Sequence, residues 1–421
     1  MRAIVIDERV RPCAEARVPL PAPEGEPPNR AQDPEVWWSA VTAVVRGVTS
    51  GLPAAAIAAL AVDGTSGSVL VTGPEGEPLG PALLYHDASC KAEAARVARV
   101  APAASAAHGA TSGLAKLLHL QARYPGARHV LNQAEWVAGR LLGRFDIGDE
   151  SNALKLGYDP VGRRWPAWLA ELGARPELLP RAVPPGTPLG PVAPAAAAAL
   201  GLDPRTQVAA GTTDSVAAFL AAGAQTTGEA VTSLGTTLVL KVLSDRPVFS
   251  PAHGVYSHRL GNRWLAGGAS NAGGAALLQH FSPAAIAALS ARVDPARPTG
   301  LGYYPLAAPG ERFPRNDPGL QPRTDPRPAD DAQFLQGLLE GIAAVELAGY
   351  RLLARLGAPY PTRVWSAGGG ARNLAWTAIR TRLLGVPVLR ARHAEAAYGT
   401  ALLARQAFVG GGPKTNRGRV Q

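Results

Sequence analysis

The stretch Val208–Leu240, VAAGTTDSVAAFLAAGAQTTGEAVTSLGTTLVL, places two Gly/Thr turns and one carboxylate between apolar runs. Its pattern predicts that Gln207–Ala210 ends a short buried strand, that Gly211-Thr212-Thr213 turns, and that Asp214 opens an alanine-rich helix stopping at Gly223. A second strand, Ala230–Ser233, enters the turn Leu234-Gly235-Thr236-Thr237 and leaves as Leu238–Val242. Such turns offer backbone N–H groups and hydroxyls to an anion, with Asp214 close in sequence to manage a proton or a metal. The same residues also fit plain capping, because aspartate is among the commonest helix N-caps and threonine is common at strand ends.

Around this stretch, 421 residues exceed the usual single-domain size, so two domains are expected. We place them at 1–205 and 206–421. A hydrophobic content of 47% with 18% charged residues is that of a globular chain. The formal charge of +10 (42 minus 32) comes from scattered arginines and five separate lysines, with no basic stripe interleaved with aromatics. That excludes a clustered nucleic-acid footprint and leaves attraction for anionic ligands. Cys13 and Cys90 lack CxxC spacing and suit reduced thiols. All eight histidines are isolated, without HExxH or CxxH spacing, so no metal site is expected. Met1-Arg2 runs straight into Ala3–Ile6, too short for a leader core or a membrane span, so a cytoplasmic protein with no membrane partner is expected.

From the start, Arg2–Asp7 reads as a strand returning over Ala16–Pro21, and Asp33-Pro34-Glu35 starts a helix ending near Gly51. Ala55–Val62 reads as a strand leading into Asp63-Gly64-Thr65-Ser66-Gly67, then Ser68–Thr72 as another. That polar turn sits where α/β proteins place ligand loops. Ser66 lacks the glycine two residues on that a nucleophile elbow needs, so it reads as a hydroxyl contact or a satisfied turn. Pro81–Asp87 ends in a loop. Ala92–Arg144 reads as mostly helical, and Ala182–Arg205, rich in proline, as the inter-domain connection.

Farther on, Gly267-Gly268-Ala269-Ser270-Asn271-Ala272-Gly273-Gly274 leads to a helix from Ala275. Its glycines suit either close ligand approach or a tight packing turn. Asp331–Leu356 is a long amphipathic helix with a core-facing stripe. Val364–Ser366 feeds Ala367-Gly368-Gly369-Gly370-Ala371-Arg372-Asn373 and a helix carrying Trp376, a strand–glycine–helix floor that matches neither Walker A nor GxGxxG. The helix Glu395–Ala407 closes the domain, and Gly410–Gln421 reads as a disordered tail.

Three motifs thus stand in order: GTTDS with SLGTT, GGASNAGG, and GGGARN followed by Trp376 and EAAYGTALLA. Together, and over nearly the whole chain, they resemble the FGGY family of carbohydrate kinases, in particular its pentulose branch of ribulose and xylulose kinases. The resemblance implies an α/β fold of two actin-like (ribonuclease-H-like) domains flanking a central cleft, sugar held mostly by the first and ATP mostly by the second. By position, Asp214 resembles the catalytic base, and Gly235, Thr236 and Thr237 the phosphate-holding turn. Gly273, Gly369, Gly370, Asn373 and Trp376 resemble the rest of the nucleotide site. Ser66, Asp87, Asp214 and Ser215 fall where family members hold the sugar. ATP and Mg²⁺ are the implied cofactors, a small sugar the implied partner, and a monomer or homodimer the implied state.

One departure stands out. Family members begin with a strand and turn resembling GIDFGTSGAR, and Arg2–Asp7 corresponds to the strand just after it. The expectation is that the natural protein is longer; the alternative is a catalytically impaired sugar- or nucleotide-binding protein. The leading functional expectation is ATP-dependent phosphorylation of a ketopentose, D-ribulose or D-xylulose, at a terminal hydroxyl.

Overall fold

Short apolar runs punctuated by Gly and Pro turns form two compact units in the computed structural model, which describes residues 1–411. One comprises Met1–Ala218 together with the chain from Glu395 onward, the other Phe219–Ala394. The tail expected from Gly410 lies, beyond residue 411, outside the described residues.

In the first unit, β1 (Arg2–Ile6) and β2 (Pro12–Arg17) form an antiparallel hairpin. The return strand comes earlier than the expected Ala16–Pro21, because Asp7 accepts the N–H groups of Arg9 and Arg11 and closes the turn tightly. A second sheet orders β3 (Ala31–Gln32), β6 (Ala82–Leu83), β5 (Val69–Thr72) and β7 (His129–Asn132). β7 breaks the expected helical stretch: four residues are long enough to pair with β5 yet too short to show a period. β4 (Ala59–Gly64) runs parallel to β11 (Gln207–Thr213), whose other edge carries β10 (Pro188–Pro191), while β8 (Ile147–Asp149) pairs with β9 (Arg181–Val183).

Helices α1 (Glu35–Thr49), α2 (Lys91–Val100), α3 (Gly113–Arg123), α4 (Gln133–Leu142), α5 (Glu150–Ala153), α6 (Trp168–Glu171) and α7 (Pro194–Leu200) complete this part of the chain. Trp37 and Trp136 meet edge to edge-on face at 6.1 Å in its core, each indole N–H satisfied, by Gln32 Oε1 and the Gly76 carbonyl. The proline-rich segment expected as a connection instead supplies β10 and α7 to the first unit, so the division falls near Ala218 rather than at 205/206.

α8 (Asp214–Ala222) begins in the first unit and ends in the second. There β14 (Tyr256–Leu260), β15 (Arg263–Ser270), β13 (Leu238–Ser244), β12 (Glu229–Leu234), β16 (Arg363–Ala367) and β17 (Val388–Arg390) lie side by side in that order. β12, β16 and β17 are parallel to one another, and β12, β13, β15 and β14 are joined antiparallel. α9 (Gly274–Leu278), α10 (Pro283–Ser290), α11 (Asp331–Arg355) and α12 (Leu374–Leu384) follow their strands, and the apolar stripe of α11, Phe334, Leu338, Ile342 and Val345, is core. α13 (Ala396–Gly411) returns to the first unit and packs on β1, β4 and β11, where Tyr398 Oη donates to the Val10 carbonyl at 2.7 Å.

Against the six-stranded sheet of the second unit, Arg380 and Glu346 are both fully buried. The guanidinium grips the carboxylate at 2.6 and 2.7 Å and reaches Ser366 Oγ at 2.5 Å, while Thr232 Oγ1 donates to Glu346 at 2.5 Å. One polar cluster therefore ties α11, α12, β12 and β16. Removing one partner strands a buried charge, so Arg380→Met should cost about 3–5 kcal/mol in urea unfolding, and the double change Arg380→Met/Glu346→Met less than the single.

A second buried polar pair lies under β4 and β11. Glu135 accepts the Asn132 N–H and side-chain amide at 2.7 and 2.9 Å through one oxygen. Its other oxygen has no partner among the described residues. Burial, and then the nearby Asp149 carboxylate, push Glu135 well above the ordinary carboxylate range, and burial pushes Asp149 up too. A carboxyl with a raised folded pKa favours the fold when protonated. Stability should therefore fall as pH rises from about 4.5 towards neutrality, and Glu135→Gln should flatten that slope in melting curves taken across this range.

Candidate active site

Parallel pairing sets Thr212 beside Asp63 and Thr213 beside Gly64. The expected turn at Gly211–Thr213 is strand instead, with a register shift between Ala209 and Thr212. Gly211 makes the approach possible: a Cβ there would lie 1.6 Å from the Val62 carbonyl oxygen. Two carboxylates thus emerge at neighbouring strand ends, Asp63 from β4 and Asp214 at the head of α8. Asp214 is half-buried and accepts the Ser215 N–H at 2.6 Å, and Ser215 is exposed.

Asp63 takes a hydrogen bond from Thr400 Oγ1 of α13 at 2.5 Å. Burial raises its pKa most; the Thr400 hydroxyl works against that, and the Asp214 charge adds to it. The sequence marks the turn beginning at Asp63 without singling out this carboxylate, and it marks Thr400 only as part of the EAAYGTALLA motif; that the two meet is hidden because they are 337 residues apart.

Beyond Asp63 the loop is held from several sides. Thr65 Oγ1 contacts Ser68 Oγ at 2.6 Å and donates to Gln133 Oε1 at 3.1 Å, and Lys155 Nζ donates to the Ser66 carbonyl at 3.1 Å. The Ser66 hydroxyl is sealed from solvent with no partner among the described residues. Lys116, fully buried, donates to the carbonyls of Gly67 and Leu84 at 2.7 and 2.6 Å, which joins this loop to the one ending at Asp87. Burial lowers the Lys116 pKa to about 8. Asp87 is also fully buried; it accepts from the Arg30 N–H and from the Ser89 N–H and hydroxyl, and so braces its loop from within.

In the second unit, Leu234 pairs with Leu238 across the turn Gly235–Thr237, and Gly235 N–H closes it on the Thr237 carbonyl at 3.2 Å. The glycine-rich loop after β15 lies against this turn: Gly274 and Ala275 donate to the carbonyls of Gly235 and Thr236 at 2.8 and 3.1 Å. A Cβ on Gly273 would come within 2.6 Å of the Thr236 carbonyl oxygen, so the contact requires glycine. Thr236 is exposed.

After β16, Gly369 is exposed with nothing within 4 Å of where a side chain would stand, whereas Gly370 lies under the Trp376 ring. Trp376 is 2% exposed and belongs to the core, its indole N–H unpaired among the described residues. Asn373 caps α12 by accepting the Trp376 N–H at 3.0 Å and donates to Ser290 Oγ at 2.8 Å. Gly235–Thr237, Gly273 and Gly369–Gly370 therefore share one sheet end, while Asn373 and Trp376 support it from below.

The comparisons with known proteins accord with this geometry. Residues 1–221 match the N-terminal domain of the FGGY family of carbohydrate kinases and residues 230–408 its C-terminal domain. The chain belongs to that family. It is similar to a xylulose kinase of Escherichia coli K12, 26% identical over 403 residues and covering 89% of this chain and 81% of that protein. A Streptomyces rubiginosus xylulose kinase is 28% identical over 441 residues, covering 98% and 86%. Among solved structures, the xylulose kinase of Rhodospirillum rubrum superposes with a TM-score of 0.85 at 25% identity, covering 98% of this chain and 88% of that one.

The FGGY kinase thus has the expected two-domain actin-like α/β fold and is a sugar kinase, a phosphotransferase whose family takes phosphate from ATP. Among the described residues, no helix is long and apolar enough to cross a membrane.

Thr400→Val should leave the Asp63 carboxylate without its hydroxyl donor. The expected loss is about 1.5–3 kcal/mol in denaturant titration, largely restored by Thr400→Ser.

Proposed function

We propose that this kinase phosphorylates a ketopentose, D-ribulose or D-xylulose, at its terminal hydroxyl, with ATP as donor and Mg²⁺ as cofactor. The observation that carries the reading is the half-buried Asp214 at the head of α8, next to the hydroxyl-rich loop from Asp63 to Ser68. The names of the xylulose kinase relatives support the pentulose class.

Asp214 acts as general base. The sugar hydroxyl gives it a proton as the oxygen bonds to the γ-phosphorus; the bond from that phosphorus to the β–γ bridging oxygen breaks, ADP leaves with the electron pair, and the proton passes to solvent. Ser66 and Ser215 are the proposed hydroxyl contacts to sugar, and Asp87 acts by bracing its loop. Gly235, Thr236 and Thr237 donate to phosphate, with Gly273 allowing the loop behind them to close in. Gly369 and Gly370 form the floor for adenosine, with Asn373 and Trp376 holding it in place. Leu374, 82% exposed beside Asn373, is the apolar contact proposed for the base.

The carboxylate oxygens of Asp63 and Asp214, the Asp214 charge being felt at Asp63, fit a hard divalent cation. Mg²⁺, when bound, supplies positive charge to the β- and γ-phosphates.

Coupled ADP release with Mg²⁺ATP should rise on adding D-ribulose or D-xylulose but not glycerol, and Asp214→Ala should lower the sugar-dependent rate by about 10²–10⁴-fold. Turnover indifferent to pentulose, or unchanged in the variant, would refute the assignment.

A further inference from the structure

Away from the strand ends just described, three side chains of different chemistry converge between two packed helices. Cys90 sits at the N-cap of α2, Glu93 in its first turn, and His119 on α3. The Cys90 sulfur, a Glu93 carboxylate oxygen and a His119 ring nitrogen all lie within 4.8 Å of one another. His119 Nδ1 is already 3.1 Å from Glu93 Oε1. Nothing in the spacing of these residues forms a metal signature, since the ligands come from two helices.

We infer that Cys90, Glu93 and His119 form a Zn²⁺ site that clamps α2 to α3. The donor set selects the ion: one sulfur, one nitrogen and one carboxylate oxygen suit zinc, whereas Mg²⁺ and Ca²⁺ prefer oxygen throughout. Zinc bonds of about 2.0–2.3 Å put tetrahedral ligands roughly 3.3–3.8 Å apart, so small side-chain rotations close the observed spacing. Burial differs across the cluster in a useful way. Cys90 is 1% exposed and anchors the inner side, while the side chains of Glu93 and His119 are 19% and 42% exposed. The outer side is therefore open for entry and for a water as fourth ligand.

The Cys90 thiol is pushed up to about 11, chiefly by burial, so it is protonated before metal arrives. Binding exchanges that proton for the metal: the S–H bond breaks, the S–Zn bond forms and one proton leaves to buffer.

Ser89 extends the consequence towards the sugar-side loop. Its hydroxyl bonds Asp87 at 2.6 Å and lies 3.7 Å from the Cys90 sulfur, so zinc at Cys90 draws on the segment that Asp87 braces.

The test uses Co²⁺ as a spectroscopic stand-in and Zn²⁺ as competitor, on the full chain and on Cys13→Ser, Cys90→Ser and His119→Ala. The wild type and Cys13→Ser should each bind one equivalent of Co²⁺ with a thiolate-to-cobalt charge-transfer band that Zn²⁺ displaces. Cys90→Ser should show no band, and His119→Ala should bind at least tenfold more weakly. Zn²⁺ should also raise the melting temperature of the wild type but not of His119→Ala, whose partly exposed side chain makes folding of that variant secure. No band in Cys13→Ser, a band retained in Cys90→Ser, or equal Zn²⁺ stabilisation of wild type and His119→Ala would overturn the site.

Discussion

An ion pair sealed from water, Arg380 with Glu346, fixes how α11 and α12 meet the six-stranded sheet of the second unit. Taking both charges out of solvent is expensive, and the pair is favourable only with every remaining donor and acceptor engaged. Here Ser366 and Thr232 add hydrogen bonds to the pair, and they lie on β16 and β12. Those are the strands that run into Gly368–Gly370 and into Gly235–Thr237. A misplaced strand would cost a buried hydrogen bond, so the backbone of both glycine turns is positioned by chemistry well behind it.

The first unit follows the same logic with smaller parts. A buried lysine joins two carbonyls from different loops, a buried aspartate gathers three donors, and a threonine from the returning C-terminal helix steadies Asp63. Each bond constrains backbone of the loop from Asp63 to Ser68 or of the loop ending at Asp87. Asp63 is an uncomfortable group in this arrangement, its carboxyl pushed up by burial and further by the Asp214 charge at the neighbouring strand end. Such discomfort suits groups that work on a proton or a cation.

Several site residues were visible as motifs but not as roles. Asp214 stands where the helix signal placed it, and the SLGTT turn falls between the two strands its apolar flanks predicted. Trp376 and Asn373 share a motif with Gly369, yet one is core and the other a helix cap, because a motif records position in the chain and not which way a side chain faces. Asp87 reads from sequence as a loop carboxylate; its burial beside Arg30 and Ser89 comes from the chain segment at Pro28–Arg30 packing against it, where Ala88 N–H meets the Pro28 carbonyl.

Local pattern was enough for the strand, turn and helix that bear Asp214, for the glycines where backbones meet, and for the family these motifs compose. Those features rest on steric and hydrogen-bonding preferences acting within a few residues. Thr400 beside Asp63, Lys116 between two loops, Arg380 against Glu346, and Cys90 near Glu93 and His119 were settled only by tertiary structure. Their partners lie from about one helical turn to hundreds of residues away, and only burial makes such pairings cost enough to be specified.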